Sequence, residues 1–455
     1  MNKKFRIYLI LFLSVFVVSF LYKVFWIPIT GDEIWNYGFS YNISKGMIIY
    51  RDFNCLQTPL YFFISSVFIK IFGNYLISVH LFDCILISFL MILLYKSVGL
   101  YRSILLYAVI IFNYFTTYSY FCMFLLFIII YLLDNKKEVN EDVISFLVGL
   151  ILISKQSIGI VMLIPILVYH KKKIRSLVIY FIPFLCVSVY LSLHGAFFDF
   201  INYAFLGMVD FNEKNKLLTV YFVLEVFCCI YLFIKLFQCK FMDRKYLFIL
   251  MFQVNAYPIF DISHFIIPFI PVLYCILKDI RFENLRLYYR GLVMVLFLAF
   301  PVIYVVKSFL CYDYVVSFDK SNYLYLRNKG DVNNVLQKES EVIKKYYERY
   351  DYSFFMIRNS YAIKLYSDIP IGQYDMLLNG NMGYRGSERV IKEIGNICQK
   401  KRCVFFVEDM SSEKDGQFSK KIYSYVLNHY SKIAGNDSFW IYDNLDRLIK
   451  DGFYE

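Results

Sequence analysis

The sequence predicts an α-helical polytopic membrane protein with a small C-terminal α/β domain outside the membrane. Three observations carry that expectation. Hydrophobic residues fill 59% of the 455 positions and charged residues only 18%, whereas soluble chains hold about half apolar and a quarter charged residues. The apolar residues are gathered into long runs that end at Cys311. The formal charge of +12 is uneven: residues 1–311 hold 27 Lys+Arg against 16 Asp+Glu, and residues 312–455 hold 21 against 20. Basicity confined to the apolar part orients a membrane protein rather than binding a polyanion, so no nucleic-acid partner is expected.

The first run, residues 7–29, follows Lys3, Lys4 and Arg6. It is too long for the apolar region of a signal peptide and has no small-residue cleavage site, so it is read as a retained span. Further runs occupy 75–95, 102–115, 118–133, 143–154, 158–169, 176–193, 218–238, 246–260, 264–277 and 291–311. The run at 59–72 has only 14 residues, short of the ~20 that cross a bilayer. Reading it as an interfacial segment puts 18 Lys/Arg on the side of the N-terminus against five in the short outer loops, as the positive-inside rule favours. The result is about eleven transmembrane helices in 1–311, a cytoplasmic N-terminus, and an outer face comprising the first outer loop 30–74, the loop 194–217 and the tail 312–455.

In the tail the pattern changes. Helix-like periodicity covers 332–350, strand-like alternation covers 354–357, 404–407 and 439–442, and a helix is expected over 418–429. The aromatics of 346–352 and Trp440 are read as core builders first and glycan contacts second. Of eleven cysteines, most lie in or beside apolar runs as small packing residues. Cys398 and Cys403 flank QKKR in the outer domain, where an oxidising exterior permits a local disulfide; the spacing is not a zinc pattern.

Charges inside apolar runs are costly and need partners. His80 and Asp83, one helical turn apart, are expected to form a structural pair. Glu225 is expected to be a buried carboxyl, protonated or hydrogen-bonded to a neighbouring helix. At the outer surface, Asp32 and Glu33 follow the first span, and Arg51, Asp52 and many aromatics follow them. Two acids at a helix exit can simply cap a turn. Their concentration at one membrane surface is also what interfacial group transfer needs: a carboxylate to take a proton from a hydroxyl, and cations to hold a departing phosphate.

These residues carry a resemblance. The acidic pair after the first helix, Tyr50-Arg51-Asp52-Phe53, and Pro59-Leu60-Tyr61 opening a segment that ends in Ile71-Phe72-Gly73 resemble the GT-C fold glycosyltransferases. The likeness is to the bacterial relatives of protein O-mannosyltransferases and of the lipid A aminoarabinose transferase. The stretches 154–159 (SKQSIG) and 263–269 (SHFIIPF) are similar to patterns of that group, and together the motifs cover most of residues 1–300.

The resemblance implies a GT-C-like membrane glycosyltransferase in the inner (plasma) membrane. It would transfer a hexose or pentose with inversion from a polyprenyl-phosphate donor to a lipid-linked glycan, glycopolymer or protein acceptor on the outer face. Asp32 matches the general base of such enzymes, and Glu33 the residue that helps hold acceptor or base. An Asp is a poor base unless burial or a second carboxylate raises its pKa, a role the adjacent Glu33 could fill. Arg51, Lys155 and His264 are the candidates for the donor phosphate, with Asp52, Gln57 and Tyr61 beside them. Several relatives carry a Lys where this chain has Gln57 before Thr58-Pro59-Leu60, so either Arg51 or Lys155 substitutes or the donor geometry differs. Tyr61 could stack on sugar or prenyl chain, or belong to an interfacial aromatic belt. No residue is assigned as a metal ligand and no cofactor is named, though a divalent metal is compatible with such carboxylates. The competing readings are a polysaccharide polymerase or ligase and a lipid-linked-glycan transporter.

Overall fold

A computed structural model describes residues 3–25, 31–112, 118–135, 139–210, 219–257, 262–279, 331–357, 360, 364, 369–370, 372–375, 377, 382–408, 419–436 and 439–445. The helices α1 (Lys3–Phe25), α2 (Gly31–Ser44), α3 (Leu60–Phe72), α4 (Leu76–Val98), α5 (Leu100–Phe112), α6 (Tyr118–Asn135), α7 (Glu141–Leu152), α8 (Gln156–Val161), α9 (Leu163–Tyr169) and α10 (Lys173–Leu193) follow in order. Next comes α11 (Phe197–Phe200), which runs into a π-helical turn over Ile201–Leu206 and a 3-10 turn over Gly207–Asp210. α12 (Val220–Gln238), α13 (Lys245–Phe252), a 3-10 turn over Gln253–Ala256 and α14 (Ile262–Asp279) complete the described apolar part.

Among the described residues, five helices (α1, α4, α6, α10 and α12) are long and apolar enough to cross a membrane. Four of the five (α1, α4, α10 and α12) expose apolar residues that a water-soluble protein would bury; Ile10, Leu185 and Phe227 are all more than half exposed, as lipid-facing positions are. The short segment expected at 59–72 is α3. Its 13 residues reach about 20 Å, too short for a ~30 Å bilayer core. It buries Tyr61, Phe62, Ser65, Ser66 and Ile69 against its contacts α2 and α4.

Two runs read as single spans are interrupted. The run at 158–169 breaks at Met162 between α8 and α9, with Pro165 in the first turn of the second piece, where its missing N–H costs least. The run at 246–260 gives way to the 3-10 turn after Phe252, and Tyr257 is extended (φ −83°, ψ 142°) because Pro258 follows it. The second break puts the polar side chains of Gln253 and Asn255 at a helix end. The run at 291–311, the boundary at Cys311 and residues 312–330 lie outside the described residues.

The apolar part is drawn tight by small residues. A Cβ on Gly149 of α7 would lie 2.3 Å from the carbonyl oxygen of Tyr180 in α10, and one on Gly159 of α8 would lie 2.2 Å from Cα of Leu152. The Tyr180 hydroxyl donates to the Gly159 carbonyl at 3.0 Å. α7, α8 and α10 are thereby held together around the 152–156 turn.

The C-terminal part contains α15 (Asp331–Tyr347), β1 (Tyr352–Met356), α16 (Gly386–Cys398), β2 (Cys403–Val407), α17 (Lys420–His429), β3 (Ser431–Gly435) and β4 (Trp440–Asp443). The strands form one sheet in the order β1-β2-β4-β3. β1 and β2 pair in parallel from Tyr352↔Cys403 to Met356↔Val407, and α16 supplies the long crossover that parallel strands require. Alternation sends Phe355, Val404 and Phe406 to the face carrying Ile343 of α15. Phe354, Met356, Phe405 and Val407 go to the face carrying Val390, Ile394, Ile422 and Val426 of α16 and α17.

Three strands and two helices fall where periodicity predicts them. The amphipathic α16 and the exposed edge strand β3 were not anticipated. The disulfide expected between Cys398 and Cys403 is formed, with Cα atoms 5.7 Å apart. Tyr346 lies against Phe406, with ring centroids 6.5 Å apart, and Trp440 lies under Lys432, so these aromatics contribute to core and edge packing.

This sheet unit meets the apolar part at the π-helical turn. Arg389 donates to the Tyr203 hydroxyl at 2.6 Å and to the Met382 carbonyl at 2.7 Å. The Tyr384 backbone N–H donates to Asn202 Oδ1 at 3.0 Å.

Candidate active site

Asp32 and Glu33 lie side by side in the first turn of α2 and point to different places, because consecutive helical residues are about 100° apart. Glu33 is buried. Its Oε1 accepts from Lys23 Nζ of α1 at 2.8 Å and lies 2.7 Å from His80 Nε2 of α4. Burial alone would push the Glu33 carboxyl up, but the Lys23 and His80 charges and hydrogen bonds outweigh it and hold the group well below the usual carboxylate range. Glu33 is therefore a staple joining three helices, and its carboxyl is turned away from Asp32. The expected His80–Asp83 pair is not seen among the described residues. Both residues are buried, His80 on Glu33 and Asp83 on the Tyr61 hydroxyl at 3.2 Å.

Asp32 is exposed, and its charge is felt at Tyr118 and at Lys155. The turn that carries Lys155 is fastened to the 56–60 stretch by long-range hydrogen bonds. Thr58 Oγ1 donates to the Leu152 carbonyl at 3.0 Å, the Leu60 N–H to the Ile153 carbonyl at 2.9 Å, and Gln156 Nε2 to the carbonyls of Leu56 at 2.9 Å and Ala204 at 2.6 Å. Gln57 is thereby brought beside the first residue of α6, donating to the Tyr118 hydroxyl at 3.3 Å.

Lys155 Nζ lies 5.4 Å from the centre of the Tyr118 ring and donates to Asn255 Oδ1 at 2.6 Å and Ser119 Oγ at 3.2 Å. Burial lowers its pKa to about 8, against the opposing pull of Cys122 and Asp32. A half-buried ammonium this poorly hydrated gains much from an anion. The site thus draws on α2, the 56–60 stretch, the head of α6, the 153–156 turn and the 253–256 turn.

The other predicted residues fall elsewhere. Arg51 is exposed and forms an ion pair with Asp52 (Nε to Oδ1, 2.8 Å), and its Nη1 donates to the His194 carbonyl at 3.3 Å. The Arg51 guanidinium and the Ile48 N–H hold Asp52 below the ordinary aspartate range although partial burial opposes them. The pair sits beyond Tyr50, whose positive φ of 73° forces a sharp turn there. Tyr61 is fully buried against Phe62, Phe82 and Phe121, so its ring offers no face to a sugar or prenyl chain. His264 is half-buried in the first turn of α14, which contacts the turn carrying Asn255. Glu225 is buried, and among the described residues neither carboxylate oxygen has a hydrogen-bond partner, so of the two expected states the hydrogen-bonded one is not seen there. Among the described residues no group of three or more His, Cys, Asp or Glu could hold a metal ion.

Lys23, Tyr118, Ser119, Gln156 and Asn255 were not singled out in the sequence. Lys23 had a legible signal, a cation inside an apolar run, as did Gln253 and Asn255 in the run at 246–260.

An apolar helical body, a short helix (α3) after the 45–59 stretch and a polar constellation beside it make up a membrane-type helical fold. Two solved structures of ArnT from Cupriavidus metallidurans, a lipid A aminoarabinose transferase, share it over nearly their whole length. The one bound to undecaprenyl phosphate superimposes with a TM-score of 0.56 at 12% identity, covering 97% of this chain and 98% of that one. The apo state gives 0.55 at 12% identity, over 98% and 99%. No protein-family model matches the chain, and no curated protein matches it significantly, so the likeness is one of fold.

Proposed function

We propose that this protein is an integral membrane glycosyltransferase that moves a sugar from a polyprenyl-phosphate donor to an acceptor on the outer face of the membrane. The observation that carries the reading is the convergence of an exposed carboxylate, Asp32, on a half-buried ammonium, Lys155, in a chain with the fold of a transferase crystallised with undecaprenyl phosphate.

Asp32 takes the proton of the acceptor hydroxyl. The oxygen attacks the anomeric carbon on the face opposite the phosphate, the bond from that carbon to the phosphate oxygen breaks, and configuration inverts. Lys155 receives the charge that develops on the leaving phosphate. Of the two substitutes considered for the missing Lys at position 57, Lys155 is favoured, because Arg51 is already committed to Asp52. The charge asymmetry supports eleven spans with a cytoplasmic N-terminus in the plasma membrane, and the polar tail 312–455 is read as an outer α/β domain.

The test is transfer from a radiolabelled polyprenyl-phosphate sugar in membranes bearing wild type or Asp32→Asn. Loss of transfer at equal protein level supports the assignment, and wild-type transfer by the variant rejects it.

A further inference from the structure

Asn255 holds a feature that transfer chemistry at Asp32 and Lys155 leaves unused. A lysine ammonium can only donate, so the Asn255 atom 2.6 Å from Lys155 Nζ is its carbonyl oxygen. That fixes the orientation of the amide and turns its NH2 to the other arm. The residue is 1% exposed, and among the described residues Nδ2 has no hydrogen-bond partner. An unsatisfied buried donor is costly and calls for an explanation. Lys155 keeps one N–H beyond those given to Asn255 and Ser119. Two sets of donors with no free acceptor, one of them cationic, thus stand a single amide group apart.

We infer that Asn255 Nδ2 and Lys155 Nζ form a two-point site for one oxygen of a phosphate ester, with Asn255 contacting the ligand directly. A sugar hydroxyl is the poorer fit, since it must donate as well as accept and the pair's one acceptor is already taken by Lys155. A phosphate oxygen only accepts. The identity of the phosphate rests on the function proposed above; the donor geometry does not. The same chemistry would serve a polyprenyl phosphate, a common phospholipid headgroup or free phosphate.

The full chain in nanodiscs, titrated separately with a polyprenyl phosphate, phosphatidylglycerol and inorganic phosphate, separates these sources. Asn255→Ala removes the donor without adding charge. Asn255→Asp keeps an oxygen for Lys155 and replaces the donor with an acceptor. Polyprenyl-phosphate affinity should fall about tenfold or more in Asn255→Ala and further in Asn255→Asp, with melting temperatures of both variants showing a folded protein. In turnover, Asn255→Ala should raise the donor KM more than it lowers kcat. Unchanged affinity in Asn255→Ala overturns the inference, even if Asn255→Asp binds weakly, because that loss would reflect Lys155 neutralisation alone. If wild type binds polyprenyl phosphate and Asn255→Ala binds it equally, the inference fails and the proposed function stands. If the variants lose affinity for phosphatidylglycerol or inorganic phosphate and wild type ignores polyprenyl phosphate, the two-point site stands and the proposed donor falls. Binding of none of the three by wild type overturns both.

Discussion

Asp32 and Glu33 are neighbours on one helix turn with the same chemistry, and the fold gives them opposite environments. Glu33 is sealed between α1 and α4 with a cation and an imidazole on one oxygen. Asp32 stays accessible, and its charge is felt at Lys155 and Tyr118. The satisfied carboxylate holds helices together. Beside Lys155, which the charge of the other reaches, Asn255 Nδ2 has no partner among the described residues. The contrast teaches that burial and partners, rather than adjacency in sequence or charge, decide which of two neighbouring acids is structural and which stays open to solvent.

The sharpest way to break this comparison is to exchange the roles by mutation. Asp32→Asn should lower transfer by about 10²–10⁴-fold, the range for loss of a general base, with no change in melting temperature. Transfer near the wild-type rate would make the two carboxylates equivalent after all. Glu33→Gln should act through stability instead. It leaves the Lys23 ammonium buried without its counter-charge, a change that costs about 3–5 kcal/mol, read as reduced yield and a lower melting temperature in detergent. A stable Glu33→Gln protein lacking activity would move Glu33 into the chemistry.

Acidity sharpens the same point. Because the folded pKa of Glu33 is depressed, its contribution is present above the unfolded carboxylate value near 4.3 and is lost as pH falls through the folded one. Acid should therefore destabilise wild type more than Glu33→Gln in a melting series. At the other end, Lys155 titrates at about 8. Donor affinity should fall roughly tenfold between pH 7 and 9 as the ammonium is lost, a fall that Lys155→Arg should remove. A flat affinity profile would sever Lys155 from the donor. The smallest effect is expected at the rim. Arg51→Ala breaks an exposed pair worth about 1 kcal/mol or less, and donor KM should stay within about twofold.

Much of the architecture was legible because burial in lipid leaves a strong one-dimensional trace. The apolar runs mark α1, α4, α6, α10 and α12, the 14-residue run marks α3, and alternation marks β1, β2 and β4. The trace fails where local chemistry overrides it. Pro165 splits α8 from α9, and Pro258 ends a run two residues after Ala256. β3 is an exposed edge strand, so its five residues carry no apolar alternation. In the site, Asp32, Gln57 and Lys155 were readable as polar residues at the expected surface. Tyr61 looked like an interfacial aromatic and is core, because the face of α3 that carries it turns toward α4.

By itself the sequence determined what solvation determines: which segments leave water, which side the basic loops favour, and where an acid-bearing segment follows the first apolar run. Only the tertiary structure decided which charges meet. Lys23 and Glu33 are ten residues apart, His80 lies 47 further on, and Lys155 and Asn255 are separated by 100. Hydropathy is a property of each residue in turn, whereas a hydrogen bond between helices depends on register, rotation and close approach, which glycines such as Gly149 and Gly159 permit and no local pattern encodes.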